Sequence, residues 1–192
     1  MISKMLNYRL LLLLVLILSA CVGGHQMGQG SSTAEKAEDH RATEPYRRKV
    51  ESLMVDIAAL NQQANLLEAG LVAETAITYS DQLAEEYQLV RPAVLHNVLI
   101  RVGLKDRGLC YHWTEDLLKQ LQSLDLRTYQ FHWGVAHRGS ELREHNSVVI
   151  TARGQAFENG MVLDPWRNSG DLYWALIKSD RYPWKELPPS EW

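Results

Sequence analysis

Three residues spread along this sequence carry the side chains of a thiol acyl-transfer site: Cys110, His145 and Asp164. A thiolate attacks a carbonyl carbon, an imidazole takes and returns the proton, and a carboxylate fixes the imidazole tautomer and stabilises its protonated form. Cys110 opens a helix-like segment, His145 precedes an apolar strand-like segment, and Asp164 ends the next one. The types and order of these residues predict a Cys-His-Asp catalytic triad.

Cys110 has the setting of a reactive thiol. The only other cysteine, Cys21, directly follows an export leader and is expected to carry a lipid on its sulfur, so Cys110 has no intramolecular partner for a disulfide in an oxidising compartment. At a helix N-terminus, unpaired amide hydrogens and the positive end of the helix dipole favour the thiolate form. An inert thiol buried in the core is the alternative interpretation.

Other residues compete for the roles of base and orienting acid. His112, His132 and His137 are alternatives to His145, and Asp164 precedes a proline, where it could simply start a turn. If the strands that carry His145 and Asp164 are antiparallel neighbours, the two side chains face each other across one rung of the sheet. That arrangement favours His145 as the base and Asp164 as its partner.

Acyl chemistry also needs hydrogen-bond donors for the negative charge that develops on the carbonyl oxygen. The backbone amide of Cys110 is the first candidate. Asn97 and Gln88, in the segments before it, are candidates for the second donor. Aromatic residues near the C-terminus form either a wall of the substrate cleft or ordinary core and edge packing. They are Trp166, Tyr173, Trp174, Tyr182 and Trp184.

The elements that must position these residues begin with helices. Apolar side chains at three- and four-residue intervals are typical of amphipathic helices. Helices are predicted at 47–65, 66–79, 80–89, 93–102 and 109–123. Gly70 is a weak point within the second, and Ser80 and Asp81 are candidate caps for the third. Val94, Leu95, Val98, Leu99 and Val102 fall on one stripe of the fourth, which Gly103 ends.

The periodicity changes after these helices. Apolar and polar side chains alternate over 127–135, which indicates a strand. The composition of 145–151 predicts a buried strand, 160–164 is a third, short strand, and 172–177 is open between helix and strand. Helices followed by strands predict an α+β fold, with a small antiparallel sheet after N-terminal helices.

The N-terminus has the pattern of an export signal. Residues 1–20 have a positive head, a short apolar run and small residues before Cys21. The sequence Leu-Ser-Ala-Cys at 18–21 looks like a bacterial lipobox, which implies cleavage before Cys21 and lipid attachment to its sulfur. Val22 instead of Asp implies sorting to the outer membrane. Residues 21–44 lack apolar periodicity and are expected to form a flexible tether.

Length and charge restrict the remaining chain. Residues 45–192 suffice for a single domain with its own core and not for two. The full chain has a net charge of −3, and removal of Lys4 and Arg9 with the leader makes the mature chain more negative. Because nucleic-acid binding requires clustered basic residues, we expect no nucleic-acid partner. We also expect no cofactor and no metal.

The order of the three residues resembles that of the transglutaminase-like branch of the papain superfamily, and most of all the bacterial transglutaminase-like cysteine proteinases. The resemblance covers about residues 93–166. It implies a papain- or transglutaminase-like core in which Cys110 is the nucleophile, His145 the general base and acid, and Asp164 the orienting carboxylate. Related cell-wall endopeptidases use a Cys-His-His arrangement, which is disfavoured because no histidine follows His145.

We therefore expect a lipid-anchored thiol hydrolase (peptidase or amidase) or acyl transferase of the cell envelope, facing the periplasm. Its substrates would be peptides, proteins or peptidoglycan stem peptides near the membrane that holds Cys21. One alternative is a non-catalytic papain-like binding or scaffolding lipoprotein with an occluded Cys110. Another is a structural outer-membrane accessory that docks a partner through the helices at 47–89.

Overall fold

The computed structural model describes residues 43–60, 62–63 and 65–192. The predicted signal peptide at 1–20, Cys21 and nearly all of the predicted tether lie outside these residues. The described residues belong to one compact unit. Within them, no helix is both long and apolar enough to cross a membrane.

Within the described residues, four α-helices come first. They are α1 (Glu44–Ala58), α2 (Leu66–Glu86), α3 (Ala93–Arg101) and α4 (Cys110–Gln122). The prediction of separate helices at 66–79 and 80–89 is wrong, because α2 runs through without a break. Ser80 is buried inside α2, and its hydroxyl donates to the carbonyl oxygen of Ala76 at 2.6 Å instead of capping a new helix. Gly70 likewise lies within α2 and packs against Met54.

Five antiparallel strands follow and form a single sheet with the order β4-β3-β2-β1-β5. The strands are β1 (Tyr129–Ala136), β2 (His145–Ala152), β3 (Met161–Asp164), β4 (Tyr173–Leu176) and β5 (Lys185–Leu187). The α+β class is confirmed, and the segment left open at 172–177 contains a strand. The fifth strand was not predicted, because three residues are too short to show alternation.

Both faces of the sheet are covered near its centre. Helix α4 packs on one face, against β1 and β2, while α2 packs against α4 and α1 packs against α2. Leu53 and Leu117 belong to the same apolar cluster as Val148 and Ile150. The other face carries a smaller cluster, Ala136, Val149, Phe157, Val162 and Trp184. All eight residues of β2 are therefore buried. His145 begins this fully buried strand.

Helix α3 packs differently from a typical amphipathic helix. Its predicted apolar stripe faces solvent, with Val94, Leu95, Val98 and Val102 between 44% and 62% exposed. The fully buried side chain of α3 is instead His96, whose Nδ1 accepts a hydrogen bond from the Val90 amide at 3.1 Å. Its Nε2 therefore carries the hydrogen and donates to the Arg107 carbonyl oxygen at 2.8 Å. In this way α3 anchors the loop that leads to Cys110.

Replacement of Gly108 with alanine tests this anchor. Gly108 has φ of +122°, and a Cβ atom there would lie 2.6 Å from the His96 ring. We expect G108A to lower the free energy of unfolding by about 2 kcal/mol or more, through backbone strain and displacement of His96. Urea denaturation measures this change. Gly103→Ala is the matched control, since Gly103 also has positive φ but has open space around it; an equal loss in both variants would contradict a role for the His96 contact.

Candidate active site

Cys110 is the first residue of α4 and is partly exposed. It opens into a cleft of about 700 Å³, which His145, Asn146, Trp166 and Tyr182 also line. The Cys110 Sγ lies 3.9 Å from the carbonyl oxygen of Glu144 and 3.8 Å from the side-chain nitrogen of Asn146. The thiol is therefore at the start of β2, beside the backbone that carries His145.

The backbone just before Cys110 is fixed by side chains of α4. His112 Nδ1 accepts hydrogen bonds from the amides of Gly108 and Leu109, at 3.1 and 3.2 Å. The indole of Trp113 donates to the Gly108 carbonyl oxygen at 2.9 Å. Burial, together with the charge of Arg107, lowers the pKa of His112 and keeps it neutral. His112 thus caps the helix and is not the base for Cys110.

His145 and Asp164 form a buried pair. His145 Nε2 lies 2.6 Å from Asp164 Oδ2, and the two residues are 3% and 0% exposed. The expectation that they lie across one rung is wrong. Val148 pairs with Leu163, so the same register places Asp164 opposite Ser147. His145 and Asp164 are diagonal neighbours on one face of the sheet, close enough for long side chains to meet.

The tautomer and charge of His145 follow from its two partners. Because Nε2 is bound to Asp164, Nδ1 is the ring nitrogen left for the Cys110 thiol. Burial opposes protonation, but the hydrogen bonds with Asp164 and Cys110 outweigh it and raise the pKa of His145 to about 9. His145 is then an imidazolium at neutral pH. Its protonation stabilises the fold fully below about pH 6.5, and this contribution is lost as the pH rises through about 9.

The His145–Asp164 pair belongs to a larger buried ionic network. Arg167 donates from its backbone amide and from Nε to Asp164, at 3.1 and 2.9 Å. Its two terminal nitrogens bind Asp180 in a bidentate pair, both at 2.8 Å. Burial opposes ionisation of Asp180, but bonds from Arg167 and Trp184 hold its pKa below the usual range. Two carboxylates and one guanidinium leave one negative charge, which the imidazolium of His145 balances.

Aromatic rings enclose the imidazole. The ring centroids of Trp166 and Tyr182 each lie 4.9 Å from that of His145, and Trp184 lies at 5.4 Å. Trp166 and Tyr182 line the cleft, whereas Trp184 is buried beneath it. The predicted aromatic group is thus divided between cleft wall and packing.

The two remaining aromatic residues of that group serve the network and the core. Tyr173 stacks on the Arg167 guanidinium, with 3.9 Å from the guanidinium carbon to the ring centroid. Trp174 donates its indole hydrogen to Asp56 on α1 at 2.8 Å. Tyr173 thus supports Arg167 and is also the strand partner of Asp164 across β3 and β4. Trp174 joins β4 to α1.

Two other histidines were alternatives to His145. His132 is held between Glu186 and Thr151, at 2.6 and 2.9 Å. His137 lines the cleft, where its Nε2 accepts a hydrogen bond from Arg143 at 3.3 Å. Of the histidines in the described part of the chain, His145 alone combines a buried carboxylate partner with the Cys110 thiol.

Only some of the predicted oxyanion donors line the cleft. Gln88 lies elsewhere: it lines another cavity and accepts a hydrogen bond from Lys105 at 3.1 Å. Asn97 lines the cleft and stays a candidate through its NH₂ group, since its side-chain oxygen accepts from the Trp166 indole at 3.2 Å. The Cys110 amide precedes the first hydrogen bond within α4, so it remains a candidate donor.

Asn146 is a site residue that the sequence did not single out. Its side-chain oxygen accepts from the Trp133 indole at 2.7 Å, which turns its NH₂ group toward Cys110. Asn146 is 7% exposed, so this orientation is held by its surroundings. Its position directly after His145 was the only available signal, and the Trp133 contact comes from the pairing of β1 with β2.

The protonation of His145 is directly measurable. We expect NMR titration of the imidazole to give a midpoint near pH 9 in the wild-type protein. In Asp164→Asn the midpoint should fall toward or below the ordinary 6.5. Burial lowers the pKa of His145, and without the Asp164 carboxylate only the Cys110 thiol still raises it. Asp171→Asn, which alters an exposed carboxylate, is the control and keeps the wild-type midpoint. A wild-type midpoint near 6.5 would contradict the ion pair with Asp164.

Among the described residues, no group of three or more His, Cys, Asp or Glu side chains could hold a metal ion. Compared with protein-family models, with curated proteins and with solved structures, the chain matches none of them.

Proposed function

We propose that this protein is a thiol hydrolase of the peptidase or amidase type, or an acyl transferase, that works through an acyl-enzyme on Cys110. The observation that carries this proposal is the placement of His145, which hydrogen-bonds to Asp164 through Nε2 and lines the same cleft as Cys110, whose thiol contributes to raising the pKa of His145. A thiol at a helix N-terminus beside an imidazolium is the setting in which thiolates are favoured.

In the proposed reaction the Cys110 thiolate attacks the carbonyl carbon of a peptide or amide. The carbonyl oxygen takes the electron pair and is stabilised by the Cys110 amide and the Asn146 side-chain NH₂. His145 gives its Nδ1 proton to the leaving amine when the carbon–nitrogen bond breaks, which leaves a thioester on Cys110. Water or another amine, deprotonated by His145, then attacks the thioester and releases the thiol.

The buried network supports the proton transfers. Asp164 holds Nε2, so the ring cannot rotate away from Cys110, and Arg167 holds Asp164 in turn. The imidazolium is matched in charge by this network and needs little rearrangement to form. Trp166 and Tyr182 shield the ring from bulk water, which strengthens the electrostatic interactions around it.

The cellular setting is a proposal from the leader. Lipidation at Cys21 would place the domain on a tether of roughly 22 residues with a span of roughly 25 Å at the membrane surface. The outer membrane, facing the periplasm, is the compartment that Val22 implies. Substrates would then be peptides, proteins or peptidoglycan stem peptides within that reach. A papain- or transglutaminase-like core is the fold family we propose for the site.

A binding module without catalysis is the main rival. That interpretation expects an occluded Cys110, whereas the thiol is partly exposed at the base of a cleft. In the second alternative the helices at 47–89 dock a structural partner. The arrangement of Cys110, His145 and Asp164 would then have no role. The geometry therefore favours an enzyme over either alternative.

Alkylation of Cys110 by iodoacetamide tests the proposal. We expect the folded full-length chain to be labelled at Cys110 at neutral pH about tenfold faster, or more, than a cysteine in an unstructured peptide, since the thiolate is the reacting form. Peptide mass spectrometry separates labelling at Cys110 from labelling at Cys21, and Cys110→Ser is the control. Labelling slower than in the peptide would overturn the proposal.

A further inference from the structure

Three arginines border the cleft that contains Cys110. Arg101 ends α3, Arg143 lies in the loop before β2, and Arg181 follows the short 3-10 helix after β4. All three are exposed. Elements distant in sequence thus bring three guanidinium groups to one opening.

None of the three guanidinium groups forms an ion pair with any residue that the structure describes. Arg101 donates to the Glu141 carbonyl oxygen at 3.3 Å. Arg143 donates to the ring nitrogen of His137 at 3.3 Å. Arg181 lies over the Tyr182 ring, with 5.2 Å to the centroid. Because none of these partners is a carboxylate, the contacts orient the side chains and leave their charges without a counter-ion.

The carboxylates of the same opening do not balance these charges. Glu144 accepts a hydrogen bond from the Gly139 amide at 2.6 Å and so holds the loop that carries Arg143. Glu141 is the only other carboxylate among the residues that line the cleft. The cleft is therefore positive in a chain whose net charge is −3.

We propose that the cleft selects substrates that carry a carboxylate close to the carbonyl attacked by Cys110. Guanidinium groups bind carboxylates through paired, charge-assisted hydrogen bonds. Arg143 and Arg181 are the binding residues. Arg101 holds the loop before β2 through the Glu141 carbonyl oxygen and adds to the positive potential of the cleft. This inference rests on the proposed function and narrows its substrate class to acidic or carboxylate-terminated peptides and amides.

Two alkylating reagents that differ only in charge test this selection. Iodoacetate carries a carboxylate next to the reacting carbon, and iodoacetamide carries a neutral amide. We expect the iodoacetate-to-iodoacetamide rate ratio at Cys110 to exceed that of a free cysteine peptide at low salt. In the double variant Arg143→Gln/Arg181→Gln the ratio should fall about two- to fivefold, because loss of two positive charges weakens the attraction of the iodoacetate carboxylate.

Two further measurements keep the test decisive. Arg48→Gln removes an exposed arginine of α1, outside the cleft, and should keep the wild-type ratio. In the wild-type chain the ratio should fall toward that of the peptide at about 0.5 M salt, through screening. Normal iodoacetamide labelling with a peptide-like ratio would overturn the inference and leave the proposed function standing. Slow labelling by both reagents would overturn both.

Discussion

Replacement of His145 with alanine should slow alkylation of Cys110 by iodoacetamide at neutral pH by about a hundredfold. The reason is that His145 is the only imidazole that the described structure brings to the thiol, and its pKa of about 9 keeps it charged there. Without that charge the thiol loses the interaction that favours its reactive form. The rate constant for labelling at Cys110, measured by peptide mass spectrometry, gives the effect directly.

His132→Gln is the matched control for this substitution. His132 also pairs with a carboxylate, that of Glu186, but it does not line the cleft. The control should therefore label at the wild-type rate. Equal rates in wild type and His145→Ala, with both proteins folded by circular dichroism, would show that the thiol does not depend on the imidazole.

Replacement of Arg167 with methionine should lower the free energy of unfolding by about 3–5 kcal/mol. Arg167 is 9% exposed in its side chain and pairs with Asp164 and Asp180, whose side chains are 0% and 1% exposed. Methionine fills much of the volume but leaves Asp180 without a cation and Asp164 with His145 alone. Urea denaturation at neutral pH measures the loss, and the labelling rate at Cys110 should fall with it as Asp164 is displaced.

Two variants separate burial from charge. Arg138→Met breaks an exposed ion pair with Glu191 and should cause no measurable change, since exposed pairs contribute little. Arg167→Lys retains the charge but loses the bidentate pair with Asp180, so it should recover only part of the stability. If Arg167→Met were as stable as Arg138→Met, the ionic network would not support the site.

The outline of the site follows from local sequence signals. A cysteine at a helix start, a histidine at a strand start and an aspartate at a strand end were each recognisable from their neighbours. The structure places Cys110, His145 and Asp164 at those positions and brings them together. The α+β class followed in the same way, because the change from helical to alternating periodicity is a local property.

The remainder depends on contacts between segments distant in sequence. Asn146 is oriented by Trp133 on the neighbouring strand, and Arg167 is fixed by Asp180. Neither contact has a pattern in the sequence. The offset between β2 and β3 also decides that His145 meets Asp164 diagonally, and strand register is set by the packing of the whole sheet.

The errors have physical causes of the same kind. The stripe on α3 predicted a buried face, but the helix is anchored through His96 instead. Gln88 has the right side chain for an oxyanion donor and the wrong location, because it lies in another cavity with Lys105. Helical periodicity shows which residues share a face, and only the packing of the chain decides which face is covered.

The most direct test of the account is formation of an acyl-enzyme. The Cys21→Ser chain is mixed with p-nitrophenyl acetate, quenched in acid and examined by mass spectrometry. We expect a stoichiometric burst of nitrophenolate, an acetyl thioester on Cys110, and its later loss by hydrolysis; His145→Ala should slow both formation and loss. Absence of an acetyl group on Cys110 in the folded wild-type domain, or identical kinetics in His145→Ala, would contradict the proposed nucleophile and its activation.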